Sequence, residues 1–403
     1  MGKRKAILFF IVVFLLVDGF LLARTFSKTP DNANYSELDE LRGNKLSFKE
    51  LSNYFTALGE DKGAAYAYEV LKRADIRPGI DMHLMGHIVG DILYKQEGAK
   101  GIAVCTPDFR NACSHSIVVG MLLEYGEGAL PEIAQTCREA PGGAGAYTMC
   151  FHGLGHGILA YAGYDLEKAV GLCETTGTEE KNQREYVECV GGTIMEIIGG
   201  GFHNPELWEK QSKKYLSAED PLSPCNRDFM PELVRPQCYV YLTPHLFEAA
   251  GASLANPTLE SFEIAFPFCE KIPASDRASR ATCYGGFGKE FVVLARARDI
   301  RDVSLMTNEE MKQVYDWCLL ARNDRGITQC VSSAAASLYW GGENNPETVI
   351  RFCNVVEDSG YRNACFSDTI NAVGFYVKDV NYRRSFCEEL PQDMKENCRK
   401  RLL

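Results

Sequence analysis

The seven histidines of this chain are unevenly spread, and five of them lie between positions 83 and 156. Two segments spell the same word, His83-Leu84-Met85-Gly86-His87 and His152-Gly153-Leu154-Gly155-His156, both H-x-x-G-H. On a helix, side chains at i and i+4 lie on one face about one turn apart. Two imidazoles so placed can ligate one cation, as the helical histidine pair of zinc proteases does. The glutamate of H-E-x-x-H is absent from both words, so protease chemistry is not implied. Asp91 stands one further turn beyond His87. His152 follows Cys150 by two residues and His115 follows Cys113 by two, so three successive units set imidazoles at one phase. His83, His87, His115, His152 and His156, with Asp91, are therefore expected to converge on one inner face. Glu124, nine residues after His115, is a further candidate to reach inward.

Such a donor set suits zinc, copper or iron. Neutral imidazole also serves as an axial ligand of haem. No C-x-x-C-H occurs, which excludes covalent c-type attachment and leaves non-covalent b-type haem open. A purely structural alternative stands beside these. Gly86, Gly153 and Gly155 would permit close helix packing, with the histidines bonded to backbone carbonyls in a tight core. Later units carry Gly191, Val240, Gly285 and Ser332 at the first histidine position, so the constellation belongs to the N-terminal units, residues 80–160. His203, beside Asn204-Pro205, reads as a loop residue, and Pro244-His245 as a turn or helix start.

Nucleophilic chemistry finds little support. There is no G-x-S-x-G elbow. Cys150 lies near His152 but has a ready disulfide partner in Cys137. Gly285-Gly286-Phe287-Gly288-Lys289 is too short for a phosphate loop and reads as a close-packing segment.

Cysteine spacing defines the elements that must position these residues. Sixteen cysteines fall into eight local pairs: Cys105 with Cys113, Cys137 with Cys150, Cys173 with Cys189, Cys225 with Cys238, Cys269 with Cys283, Cys318 with Cys330, Cys353 with Cys365, and Cys387 with Cys398. The second members recur every 33 to 49 residues, a period typical of repeat architectures. No C-x-x-C occurs, so zinc ribbons and thioredoxin-type centres are not expected. An even count with local spacing reads as disulfides, which persist in oxidising compartments. Each unit reads as a helical hairpin stapled across its mouth. In the last four units one helix ends near the first cysteine, as at Phe352-Cys353, and the next begins at the second, as at Cys365. Pro346 marks a helix start, while Gly341-Gly342 and Gly199-Gly200-Gly201 mark helix ends. An all-α fold is expected, a chain of stapled hairpins.

Residues 1–5 are a basic tip, and 6–23 form a nearly continuous apolar run broken by Asp18 and Gly19. A cleaved signal peptide is one reading; without a small-x-small cleavage site, an uncleaved transmembrane signal anchor is the favoured one. The basic tip should stay cytoplasmic and the bulk extracytoplasmic. Residues 24–46 read as a tether and 47–403 as the helical-repeat domain. The net charge of −11 argues against a nucleic-acid partner. Arg277, Arg280, Lys289, Arg296 and Arg298 form at most a local basic patch, or a solvated helix face.

The run Tyr164-Asp165-Leu166-Glu167-Lys168-Ala169-Val170-Gly171-Leu172-Cys173, and more faintly Gly63-Ala64-Ala65-Tyr66-Ala67-Tyr68, resembles Sel1-like and tetratricopeptide-type repeats, particularly cysteine-rich secreted Sel1-like proteins. That resemblance implies an α-solenoid, an architecture of binding and scaffolding, and implies no catalytic residue. Two functions follow as expectations. One is a membrane-anchored binding or scaffold module for a protein or peptide, with a histidine metal site. The other is a metal-dependent enzyme that uses the same histidines.

Overall fold

The computed structural model describes residues 35–43, 45–177, 183–252, 257–300, 303–341, 346–377 and 379–403. The expected anchor, residues 6–23, lies outside them. Among the described residues every regular element is helical, and no helix is long and apolar enough to cross a membrane.

One set of helices packs consecutively, each against the next. They are α1 (Met82–Glu97), α2 (Ala112–Tyr125), α3 (Gly143–Tyr161), α4 (Arg184–Ile198), α5 (Arg235–Tyr241), α6 (Arg277–Ala295), α7 (Asp324–Gly341), α8 (Ser359–Tyr376) and α9 (Gln392–Leu402). Shorter helices alternate with them in sequence and pack on the row, among them Leu130–Glu139, Leu166–Cys173, Asn308–Leu319, Pro346–Val355 and Val380–Glu389. Many starts carry an aspartate whose side chain accepts from a first-turn amide, as Asp81 does from Leu84 N at 3.1 Å. Pro346 opens its helix and Gly341 and Gly199 close theirs, as the sequence suggests.

All eight expected disulfides are present. They join Cys105 to Cys113, Cys137 to Cys150, Cys173 to Cys189, Cys225 to Cys238, Cys269 to Cys283, Cys318 to Cys330, Cys353 to Cys365 and Cys387 to Cys398, with Cα–Cα distances of 5.4–5.7 Å. No cysteine among the described residues is free.

Their placement corrects the expectation in one respect. The row helices start before the second cysteine, not at it. Cys150 lies within α3, which begins at Gly143, and Cys283 within α6, which begins at Arg277. Cys238 lies within α5 from Arg235, Cys365 within α8 from Ser359, and Cys398 within α9 from Gln392. Every cysteine is buried. The staples thus cross the packed interior of each hairpin, because a loop too short to bury sulfur at its tip must carry it one or two turns down.

Glycine decides how closely the row helices approach. A Cβ on Gly155 would lie 2.0 Å from the Cys189 carbonyl oxygen, and one on Gly192 1.9 Å from that of His152, so α3 and α4 meet backbone to backbone. Gly288 repeats this between α6 and α7, with 1.9 Å to the Cys330 oxygen. The packing role read for Gly285–Lys289 is therefore observed.

Two contacts tie distant parts of the row together. Gly79 N donates to Ala297 O at 3.0 Å, joining the loop before α1 to the end of α6. Arg110 Nη2 donates to Ser337 Oγ at 2.9 Å on α7. The row therefore bends until its first helices face its sixth and seventh across a central cavity.

One further expectation needs correction. The stretch read as a tether is packed from residue 35. Tyr35 and Leu41 are buried, and buried Glu37 pairs with Lys62. Three of the five basic residues read as a local patch or a solvated helix face are engaged within the protein. Arg280 bonds the carbonyls of Ile272 and Glu270, Lys289 pairs with Glu290, and Arg296 pairs with Glu310.

Gly155→Ala should destabilise the protein by on the order of 3 kcal/mol, since the new methyl must push two backbones apart. Gly171→Ala, in a helix with nothing within 4 Å of its Cβ position, should be neutral or stabilise by up to about 1 kcal/mol. Denaturant unfolding of both variants checks the pair; equal effects would refute the close-approach account.

Candidate metal centre

Six imidazoles form one contiguous buried cluster. His83 and His87 come from α1, His115 from α2, His152 and His156 from α3, and His203 from the turn after α4. Ring centroids are 4.8 Å apart for His83–His87, 5.6 Å for His83–His115 and His87–His115, 5.7 Å for His115–His156 and 5.1 Å for His152–His156. His203 lies 6.1 Å from His87 and 6.4 Å from His156. The H-x-x-G-H glycines make this possible. A Cβ on Gly153 would fall 2.6 Å from the His115 Cα, and one on Gly86 2.9 Å from the Ala112 Cβ. Close packing and imidazole convergence, posed as alternatives in the sequence, are here one arrangement.

The protons on these rings can be assigned from their partners. His83 Nδ1 lies 2.7 Å from the Phe109 carbonyl oxygen, which can only accept, so Nδ1 carries the hydrogen. Three successive left-handed residues, Phe109, Arg110 and Asn111 with φ of 57°, 52° and 64°, turn that carbonyl toward the ring. Non-glycine residues seldom adopt such angles, and a run of three is costly. His87 Nδ1 lies 3.2 Å from Ser116 Oγ. That hydroxyl also reaches the His87 carbonyl at 2.9 Å and the Asp91 carboxylate; when it donates to one of these oxygens it accepts from His87 Nδ1, and when it donates to Nδ1 the hydrogen of His87 sits on Nε2. The Nε2 atoms of His83 and His87 face one another at 3.3 Å, both bare in the first arrangement and joined by a His87-to-His83 hydrogen bond in the second. Two lone pairs repel at that distance unless a cation or a proton lies between them. Nitrogens bound at about 2.0–2.1 Å to a tetrahedral zinc ion would stand about 3.3 Å apart. Donor atoms of His83, His87 and His115 all lie within 4.8 Å of one another, so this buried triad could hold a metal ion.

Glu196 organises the other side. Its carboxylate accepts from His156 Nδ1 at 3.0 Å, from His203 Nδ1 at 3.2 Å and from Tyr164 OH at 2.7 Å. The Nε2 atoms of His156 and His203 are left without a partner, and neither ring nitrogen of His115 makes a well-formed hydrogen bond. A carboxylate that fixes an imidazole through Nδ1 and leaves Nε2 bare is the usual outer support of a metal ligand. His152 differs: its Nε2 contacts Met195 Sδ at 3.3 Å, and its Nδ1 stands 3.7 Å from Glu188, too long for a hydrogen bond.

Electrostatics favour neutral rings in the triad. Burial pushes His83 down to about 4, against the opposing pull of Asp81 and the Phe109 carbonyl. Burial and the neighbouring imidazoles hold His87 and His115 well below the ordinary histidine value, the Met149 backbone opposing this at His115. Burial also takes His152 down to about 4 despite Glu188. His203 moves the other way: burial would lower it, but Glu196 outweighs that and raises it. Burial alone would raise Glu196, but His156 and His203 hold it far below the usual carboxylate range.

All five expected histidines thus meet. Asp91 is one step removed, acting on His87 through Ser116, and burial raises it. Glu124 does not turn inward: it is exposed on the far side of α2 and accepts from Tyr94 OH at 2.6 Å. His245 sits at the start of helix Thr243–Ala249, apart from the cluster, with Nε2 3.3 Å from Ser217 O. His203 is in a loop as read, but Gly200 and Gly201, at φ of 96° and 67°, fold that loop back so that its ring joins the cluster. Sequence reasoning missed Glu188 and Glu196 as well. Both are buried on α4, as are Glu185 and Thr193, so no local pattern singles them out. No family model, curated protein or solved structure matches this chain.

The depressed histidines make a pH prediction for the metal-free protein. Unfolded histidines titrate near 6.5, whereas folded His83 and His152 titrate near 4. Below pH 6.5 the unfolded chain binds protons that the folded protein refuses, so stability falls. Tm should drop steadily between pH 6.5 and 4, and replacing His83 by Gln should flatten that slope. A Tm unchanged across this window in the parent protein would contradict the assigned neutral state.

Proposed function

We propose that this chain is an extracytoplasmic α-solenoid metalloprotein, of the Sel1-like or tetratricopeptide kind, that holds a transition metal on His83, His87 and His115 beside a ligand-accessible cavity. The observation that carries this reading is the convergence of donor atoms of His83, His87 and His115 within 4.8 Å, with the two Nε2 atoms of His83 and His87 facing at 3.3 Å and their Nδ1 atoms hydrogen-bonded elsewhere. All-nitrogen donors of this kind suit zinc, copper or iron. His156 and His203 stand ready as further ligands or as hydrogen-bond acceptors for a bound molecule, through their unpartnered Nε2 atoms. The consecutive row of helices supports the solenoid reading, and the eight disulfides support an oxidising compartment. Membrane attachment through residues 6–23 rests on the sequence alone.

Of the two functional readings, one observation favours metal-dependent chemistry over a pure scaffold. The central cavity reaches His83, His87 and His156 directly. Structural metal sites are closed by protein ligands, whereas catalytic ones keep a position open to substrate. A solenoid that only bound a protein or peptide would need neither the imidazoles nor the cavity.

Protein purified from an oxidising compartment without a histidine tag should contain a transition metal by elemental analysis. His83→Gln with His87→Gln should lower the metal content at least tenfold while the helical circular dichroism stays near that of the parent, because α1 holds no cysteine and all eight disulfides are untouched. Metal-free parent protein that also fails to take up zinc, copper or iron on titration would refute the reading.

A further inference from the structure

The central cavity measures about 800 Å³, within the range that encloses a drug-sized organic molecule. Its lining is divided. At one end stand His83, His87, His156 and His203. Phe202 packs beside them, its ring centroid 5.6 Å from His87 and 5.4 Å from His203, and the rest of the apolar lining is largely aromatic, made by Phe247, Phe262, Leu294 and Trp317. Three of these rings support one another edge to face or tilted, with centroids 5.0 Å apart for Phe247–Phe262 and 5.5 Å for Phe262–Trp317.

Charged side chains also line the cavity, but each is engaged within the protein. Asp81 accepts from the Leu84 amide. Glu196 serves two histidines and Tyr164. Lys289 pairs with Glu290 and lies 4.9 Å from the Tyr241 ring centroid. Glu290 is balanced further by Arg110 and Arg298, and Arg298 has interactions of its own. Little charge remains to select a charged ligand body. The polar capacity left open among the lining residues is imidazole nitrogen: the Nε2 atoms of His156 and His203 are buried without a partner.

We propose that the cavity takes a small organic molecule with an uncharged, aromatic-sized body and one oxygen or nitrogen head. The body packs on the wall of Phe247, Phe262, Leu294 and Trp317, and the head reaches the metal at the histidine end. This deepens the metalloprotein reading and rests on it for the head, though not for the body. An apolar wall without free charges rewards removal of carbon from water, and the bare nitrogens and metal accept a donor head. A highly charged or sugar-like substrate would leave its polar groups unpaired against that wall.

The test uses zinc-loaded protein and two probes with the same metal-binding head, benzohydroxamate and acetohydroxamate, measured by calorimetry. Benzohydroxamate should bind at least about tenfold more tightly, the effect of burying a few extra carbons. Leu294→Gln, on the apolar wall, should erase most of that preference without changing the affinity for acetohydroxamate. Equal affinities for the two probes in the parent protein would overturn the proposed body while leaving the metal reading intact. Should the protein refuse zinc, the metal reading falls separately, and toluene binding to the metal-free protein decides the remainder. One-to-one binding that perturbs Trp317 fluorescence, with the signal lost in Trp317→Phe, supports the apolar site; no binding overturns it.

Discussion

Backbone contact between neighbouring row helices is the constraint on which the rest of this structure depends. Where a Cβ on Gly155 or Gly192 would intrude within 2.0 Å of a facing carbonyl, no other residue fits. Helices that meet this closely bring side chains on adjacent turns within reach of one another across the interface. His152 flanks that contact and His156 follows it by one residue, while Gly153 lets α3 lie against His115 on α2. Imidazoles that would be separated by ordinary interhelical spacing instead form a continuous patch. The disulfides act on a different axis. They hold each short helix to its row helix, so the row itself is free to be set by glycine.

Packing six imidazoles together has an electrostatic consequence that the surrounding groups resolve. If several were protonated at once, mutual repulsion in a desolvated site would be severe. Burial keeps His83, His87, His115 and His152 neutral, and the depressed carboxylate of Glu196 sits against the histidine whose value is raised, His203. Charge is thereby placed at the edge of the cluster, and lone pairs are kept at its centre. A core built only for stability would bond each nitrogen to a carbonyl, hydroxyl or carboxylate. This one does so for the Nδ1 atoms of His83, His87, His156 and His203 and leaves their Nε2 atoms to each other or to nothing.

Much of this was legible in the sequence because local spacing encodes it. The eight cysteine pairs are nearest neighbours, so their connectivity follows from distance along the chain. What spacing did not encode is where a helix starts: Cys283, Cys330, Cys365 and Cys398 read as helix openings, but each has more than a turn of helix before it and carries its sulfur into the core. The two H-x-x-G-H words and the phase of His115 carry the convergence, since helical periodicity puts them on one face and the repeat puts that face in register. Glu188, Glu196 and His203 were not legible. Their roles arise from a bend after α4 that depends on Gly200 and Gly201 adopting positive φ, and from tertiary contacts with α3 that no local pattern specifies. Glu124 failed for a related reason. Its position nine residues after His115 was counted, but its preference for Tyr94 OH on the neighbouring helix decided its direction.

The same backbone architecture continues where the chemistry does not. Gly288 on α6 repeats the close approach of Gly155, yet the space around it is filled by carbon: Phe266 and Phe287 stack with centroids 4.0 Å apart, and Phe291 and Trp317 extend the layer. The bend of the row then sets these two halves face to face, joined by the Gly79–Ala297 and Arg110–Ser337 bonds. Arg110 belongs to the left-handed turn whose Phe109 carbonyl fixes the proton of His83. A contact from α7 therefore bears on the segment that determines which nitrogen of His83 is bare. In a straight row of repeats each unit touches only its neighbours, and the histidine units would face solvent. Bending gives them an apolar wall from the far half of the same chain, and with it a site that neither half contains alone.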